Sequence, residues 1–155
     1  MEIEKKNNII SVVLFVVIIA LAYMLYDAIT TPYKAEMARK AMIERVRLRM
    51  THVRDALIYY RNKNDKFPKE IDSLVAFLKR DSVIMANGDS LYGLSFVKEP
   101  FSFDKLVMSP KSNQKFEYTL NDTIRPNIYL LRDADTDDKI GSLEKTTLLN
   151  APSWQ

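Results

Sequence analysis

The chain has 155 residues, of which 47% are apolar and 28% charged, and its 23 Lys and Arg against 20 Asp and Glu give a formal net charge of +3. That length suits one domain of about 100 residues plus an anchor and is too short for two cores of useful size. The mixed composition excludes a disordered chain and a general polyanion binder, and the lack of cysteine excludes disulfides, thiolate metal sites and a cysteine nucleophile.

Residues 7–26, NNIISVVLFVVIIALAYMLY, carry no charge. As a helix they rise about 30 Å, the thickness of a bilayer's hydrocarbon, which predicts an N-terminal tail over 1–8 and a transmembrane helix over 9–28. A cleaved secretory signal is the rival reading, because Lys5 and Lys6 form a basic leader and Ala20-Leu21-Ala22 is a candidate cleavage site. Tyr23, Met24, Leu25 and Tyr26 follow where a polar mature start would be expected, which favours a full span. Two basic residues, Lys5 and Lys6, precede the span, and Lys34, Arg39, Lys40 and Arg45 follow within twenty positions. Counted this way, the positive-inside rule favours a cytoplasmic domain.

Beyond the span, Thr31 is the expected N-cap and Pro32 the first position of a helix over 32–64, since proline's missing N–H is harmless there. Met42, Val46, Met50, Val53, Leu57 and Tyr60 recur at spacings of three and four and form one apolar stripe. Beside it Lys40, Arg47, Arg54 and Arg61 stand seven apart, nearly in line along the helix. This basic row reads either as a solvated flank whose stems cover the edge of the stripe or as an interaction surface for acidic residues of a neighbouring copy. Nucleic acid is a weaker reading, since Glu36, Glu44 and Asp55 share the helix without an aromatic-stacking element. The single histidine, His52, reads as structural rather than catalytic.

After Pro68 a short helix is expected over 69–79, with Ile71, Leu74, Val75 and Leu78 on one face. From Val83 the pattern turns to strands: VIMA, LYGLSFV, KLVMS, KFEYTL and NIYLLR, separated by turn signals at Asn87-Gly88-Asp89, Pro110 to Asn113 and Asn121-Asp122. The expected fold is α+β: a long N-terminal helix, transmembrane then amphipathic, packed on a small antiparallel sheet over 83–132, within a soluble domain spanning 32–155. With Gly88, Gly93 and Gly141 as the only glycines there is no phosphate-binding loop. No serine-nucleophile motif or paired-carboxylate cleft appears either, so neither an enzyme nor a small-molecule substrate is expected.

The last stretch, 133–155, reads as an acidic loop. DADTDDKIGSLE places Asp133, Asp135 and Asp137 at positions one, three and five of a twelve-residue calcium loop, the Lys139 carbonyl at seven and Glu144 at twelve. Position six, ordinarily glycine, is Asp138, and NIYLLR before it reads as a strand rather than an entering helix. A calcium site and a solvated acidic turn are therefore both open, with calcium the expected cofactor in the first case.

This order of parts resembles the major pseudopilins of type II secretion systems, within the wider type IV pilin-like group. The resemblance rests on Ala56, Leu57, Tyr60, Phe67, Pro68, Leu74 and Leu78, and on the acidic stretch running from Asp133 to Trp154. The layout is also similar to membrane-anchored proteins of Bacteroidota. The resemblance implies a pilin-like fold, calcium in the last loop, and a subunit of an envelope secretion or pilus-type machine that self-associates through its N-terminal helix. It further implies an inner-membrane, single-pass protein with a periplasmic C-terminal domain, against the basic-residue count. One departure is plain: such precursors are cut after a glycine and carry an early helical glutamate, whereas here the first glycine is Gly88 and no acidic residue lies between Glu4 and Asp27. Prepilin-type processing is accordingly not expected, and the alternative is a bitopic adaptor that binds a partner protein of another envelope complex.

Overall fold

A computed structural model of the chain describes residues 2–93 and 101–154. The fold is α+β, with a long helix α1 (Glu2–Asn64), helices α2 (Ile71–Arg80), α3 (Ser82–Tyr92) and α4 (Phe103–Leu106), and strands β1 (Glu117–Asn121), β2 (Ile128–Arg132) and β3 (Lys139–Gly141). The chain divides into two compact units, Met1–Ala41 and Met42–Gln155.

The first unit is helical. From Ile10 to Ile29 every large apolar side chain is exposed. This stretch is long and apolar enough to cross a membrane. Helix α1 begins at Glu2, so most of the expected tail is helical, and Pro32 lies inside the helix rather than at its start. Thr31 is not a cap; its hydroxyl donates to Asp27 Oδ1 at 2.9 Å. The physical reason is a comparison of losses. Passing through a proline forfeits one backbone hydrogen bond and incurs a ring clash, whereas ending one helix and starting another leaves four carbonyls and four N–H groups to be satisfied.

The second unit owes its core to the predicted stripe. Val46, Met50, Val53 and Leu57 are fully buried, joined by Ala56. Against them lie Ile71, Leu74, Val75 and Leu78 of α2, all four as expected, and Tyr129, Leu131 and Ile140 of the sheet. Three aromatic rings lock the centre: Phe67 meets Tyr129 edge-on at 4.8 Å and Tyr118 stacks on Tyr129 at 5.9 Å. Their hydroxyls are satisfied, Tyr118 donating to Pro68 O and Tyr129 to Asn150 Oδ1. Burial pushes both phenols above their ordinary range.

The sheet is smaller than expected. Its order is β1-β2-β3, antiparallel throughout, with Thr119 opposite Leu130 and Leu131 opposite Ile140. VIMA is not a strand but the first turn of α3, because Asp81 caps that helix: its Oδ1 accepts from the N–H groups of Val83 and Ile84. Tyr59 donates to Asp81 Oδ2 at 2.7 Å and thereby holds the carboxyl below its usual range. Gly88 is therefore not a turn residue; a Cβ there would meet Phe103 Cζ at 2.7 Å, so the glycine lets α3 lie close on Phe103. Leu91 and Tyr92 end α3, and the rest of the expected LYGLSFV strand, from 94 on, falls outside the described residues. KLVMS is split between α4 and a single bridge from Met108 to Lys115.

Leu57→Ala should lower stability by about 2–5 kcal/mol, and Leu57→Asp by at least as much, because the new carboxylate has no cation in the core. Thermal denaturation of the detergent-solubilised chain, followed by near-UV circular dichroism, checks both; an unchanged melting temperature for Leu57→Asp would contradict this packing.

Candidate functional site

The basic row and the acidic loop, read separately in the sequence, meet in the structure at one residue. Arg47 Nε donates to Asp138 Oδ2 at 2.9 Å and Nη2 to Asp138 Oδ1 at 3.2 Å, a bidentate fork. Its guanidinium also lies 5.4 Å from the centre of the Trp154 ring and reaches Glu44 at 3.3 Å. The Asp138 hydrogen bond pushes Arg47 further above its ordinary value. One side chain of α1 thus holds both the loop after β2 and the C-terminal segment. The other members of the row are also engaged within the chain: Lys40 with Glu36 at 3.7 Å, Arg54 with Asp55 at 3.0 Å, and Arg61 over the Phe67 ring at 5.4 Å.

The acidic loop is the turn that joins β2 to β3. Asp133 is buried, and its Oδ2 accepts from the backbone N–H and the hydroxyl of Thr136 at 2.9 and 2.8 Å. Its own N–H donates to Asp138 O, closing the turn. Asp137 adopts a φ of 57°, which aspartate tolerates better than most residues, and accepts from Arg132 Nη2 at 2.6 Å. The Asp135 and Glu144 side chains are exposed. The stretch called an acidic loop consequently contains β3, a 3₁₀ turn at Thr146–Leu148 and a bridge from Ile140 to Pro152. Gly141 N donates to Ala151 O and Ser153 N to Lys139 O, so the C-terminal segment covers the edge of β3. Gly141 has a φ of +88°, and a Cβ there would fall 2.2 Å from Tyr129 O.

In this structure the residues of the expected calcium ligand set are engaged within the chain or exposed. The Lys139 carbonyl accepts from Ser153, Asp137 and Asp138 face arginines, and Asp133 binds its own turn. Among the described residues no three carboxylates or imidazoles are arranged to hold a metal ion. Asp133 stands where the turn needs an acceptor, and Asp137 and Asp138 stand where a guanidinium does.

A second cluster was not legible in the sequence. Arg49 is buried, donates Nη1 to Lys105 O at 3.0 Å, and its Nε has no hydrogen-bond partner among the described residues. Burial pushes its guanidinium below its ordinary value. One helical turn on, His52 Nδ1 lies 3.2 Å from Tyr92 O, and its ring meets Tyr92 edge-on. Burial, and then the charge of Arg49, hold His52 below its ordinary 6.5, although the Tyr92 carbonyl and Asp55 oppose this. Tyr92 is itself raised to about 12 by burial. His52 is half-buried.

Comparison with protein-family models, curated proteins and solved structures finds no match for the chain.

Arg47→Met should cost about 1–3 kcal/mol, because Asp138 is left partly buried without its partner, and should shift Trp154 fluorescence. Calcium at about 10 mM, well above the dissociation constants of weak extracellular modules, should leave both the melting temperature and the fluorescence of the intact chain unchanged. A calcium-induced rise in melting temperature would show that the loop opens to a metal. For His52 the folded value lies below the unfolded one, so its contribution to stability is present above about pH 6.5 and is lost as the pH falls through the depressed value. Denaturation between about pH 7.5 and about pH 5 should show stability falling, with a shallower fall in His52→Gln; equal slopes would remove His52 as the cause.

Proposed function

We propose that this chain is a non-enzymatic, single-pass membrane-anchored subunit, pilin-like or pseudopilin-like, of an envelope secretion or pilus-type machine. Its domain lies on the periplasmic side of the inner membrane, and copies associate through the N-terminal helix. The observation that carries the reading is the stretch from Ile10 to Ile29, whose large apolar side chains are all exposed while the same helix supplies the core of a small α+β domain. An apolar surface of that length is covered by lipid, by other helices or by both.

Within this reading the basic row has a smaller part than its spacing suggests. Lys40, Arg47, Arg54 and Arg61 spend their charges on Glu36, Asp138, Asp55 and the Phe67 ring. Contact between copies falls to the apolar helix, where small shape differences and close packing decide association in lipid. A second reading is favoured by the lack of any acidic residue between Glu4 and Asp27: a bitopic adaptor bound to a different protein of an envelope complex.

Because the chain has no cysteine, single cysteines placed at Val13, Val17 and Leu21 report helix contacts without background. Oxidative cross-linking in membranes should yield self-linked dimers at one helical face. Cross-links only to other proteins would sink self-association in favour of the adaptor. A fluorescent reporter inactive in the periplasm and fused after Gln155 should leave cells dark, and bright cells would place the domain in the cytoplasm.

A further inference from the structure

The sheet has two edges, and the chain covers one of them and part of the other. At β3, Gly141 N donates to Ala151 O and Ser153 N to Lys139 O. Lys139 and Gly141 therefore turn their backbone groups outward, and Ile140 turns its own toward Leu131 of β2. Alternation along an antiparallel ladder then points Leu130 and Arg132 at Thr119 and Glu117, which leaves the N–H and C=O of Tyr118 and Leu120 on the outer side of β1. The stretch before β1 gives the same parity: Phe116 N donates to Val107 O and Ser109 N to Gln114 O, so residues 114 and 116 face outward onto the segment 107–109.

That cover ends at Val107, because the chain before it is wound into α4. The outward donors and acceptors of Tyr118 and Leu120 follow in a row, and among the described residues their backbone groups on this side have no hydrogen-bond partner. Edge strands are commonly blunted by a proline, a bulge or an unpaired charge. Strand β1 has neither proline nor bulge, and its one charged residue, Glu117, faces Arg132 across the ladder at 3.9 Å. Glu117 and Thr119 are exposed, whereas Tyr118 and Leu120 are half-buried.

We infer that this edge pairs with the same edge of a second copy, β1 against β1 in an antiparallel register about Thr119. The edge is complementary to itself: Tyr118 of one copy lies opposite Leu120 of the other, so every outward donor of the pair meets an outward acceptor. Glu117 then faces Asn121 rather than another carboxylate, and the two threonines meet on the exposed face. A register about Tyr118 would set Leu120 opposite Phe116, whose N–H is already given to Val107. One about Leu120 would set Tyr118 opposite Asp122, beyond the end of the strand. A foreign strand would satisfy the backbone equally, and it is this self-matching register that favours a second copy. The contact is small beside a stable interface, so its strength rests on the membrane reading proposed above, which holds copies at high local concentration. Its geometry uses only residues of the unit Met42–Gln155.

Disulfide trapping in the full chain tests the register, since there is no native cysteine. Residues directly opposite in a non-hydrogen-bonded pair have Cβ atoms about 4.5–5.5 Å apart, within reach of a disulfide after a small movement. Thr119→Cys, oxidised in membranes, should therefore form a linked dimer. Glu117→Cys is also exposed, but in this register its two copies stand about 13 Å apart along the strands, and it should link at least about tenfold less. Adding Leu120→Pro to Thr119→Cys removes a donor on the outer side alone, which an edge strand tolerates, and should cut the dimer at least about tenfold with the melting temperature of the solubilised chain unchanged. Equal yields from Glu117→Cys and Thr119→Cys, links from Thr119→Cys only to other proteins, or a yield undiminished by Leu120→Pro would each overturn the inference. Absence of a Thr119→Cys dimer overturns it as well, and links at Val13, Val17 or Leu21 decide separately whether helix association stands.

Discussion

The structure depends on the burial of one face of one helix. Val46, Met50, Val53, Ala56 and Leu57 reach zero exposure because α2, the Phe67 ring and β2 close over them. At about 1.5–3 kcal/mol for each large aliphatic side chain, this face is the principal gain that offsets ordering a domain of little more than a hundred residues. A three-stranded sheet with strands of five, five and three residues has little stability of its own. It persists because Tyr129 and Leu131 of its central strand are pressed on the helix.

Polar contacts then fix what the apolar face leaves loose. Asp81 caps α3 and is held by Tyr59 from α1, so the α2–α3 corner is tied to the same helix that forms the core. Arg47 does the equivalent work for the sheet, joining the β2–β3 turn and the Trp154 segment to α1. A bidentate guanidinium is suited to this, because its planar fork sets the direction of the carboxylate as well as its distance. The C-terminal segment in turn pairs with β3, so an edge that would otherwise be open is covered.

The two ends of α1 live by different rules. Toward the C-terminal end, apolar residues are confined to one stripe and charged ones flank it, as for a helix lying on a core. From Ile10 to Ile29 apolar residues occupy every face, the pattern of a helix whose surroundings are themselves apolar. That second pattern is long and apolar enough to cross a membrane.

The sequence by itself determined the elements whose signal is local and repeated. The uncharged run at 7–26, the stripe from Met42 to Tyr60, the face of Ile71, Leu74, Val75 and Leu78, and the strands around Tyr118 and Leu130 are legible because each is a period sustained over several residues. Short apolar runs carried no such information. VIMA fits a strand or a helix equally, and Asp81 with its capping oxygen, together with the contact of Gly88 on Phe103, decided for helix, while KLVMS divides between α4 and the Met108–Lys115 bridge. Likewise, the spacing of Asp133, Asp135 and Asp137 suits a calcium loop and a turn alike, because a metal and a turn both ask for oxygen at short intervals. Only the fold could bring Arg47, ninety-one positions away from Asp138, to the place where the acidic turn needed a cation. Sequence spacing reports which side chains share a face, whereas charge pairing between distant segments depends on how the chain closes in space.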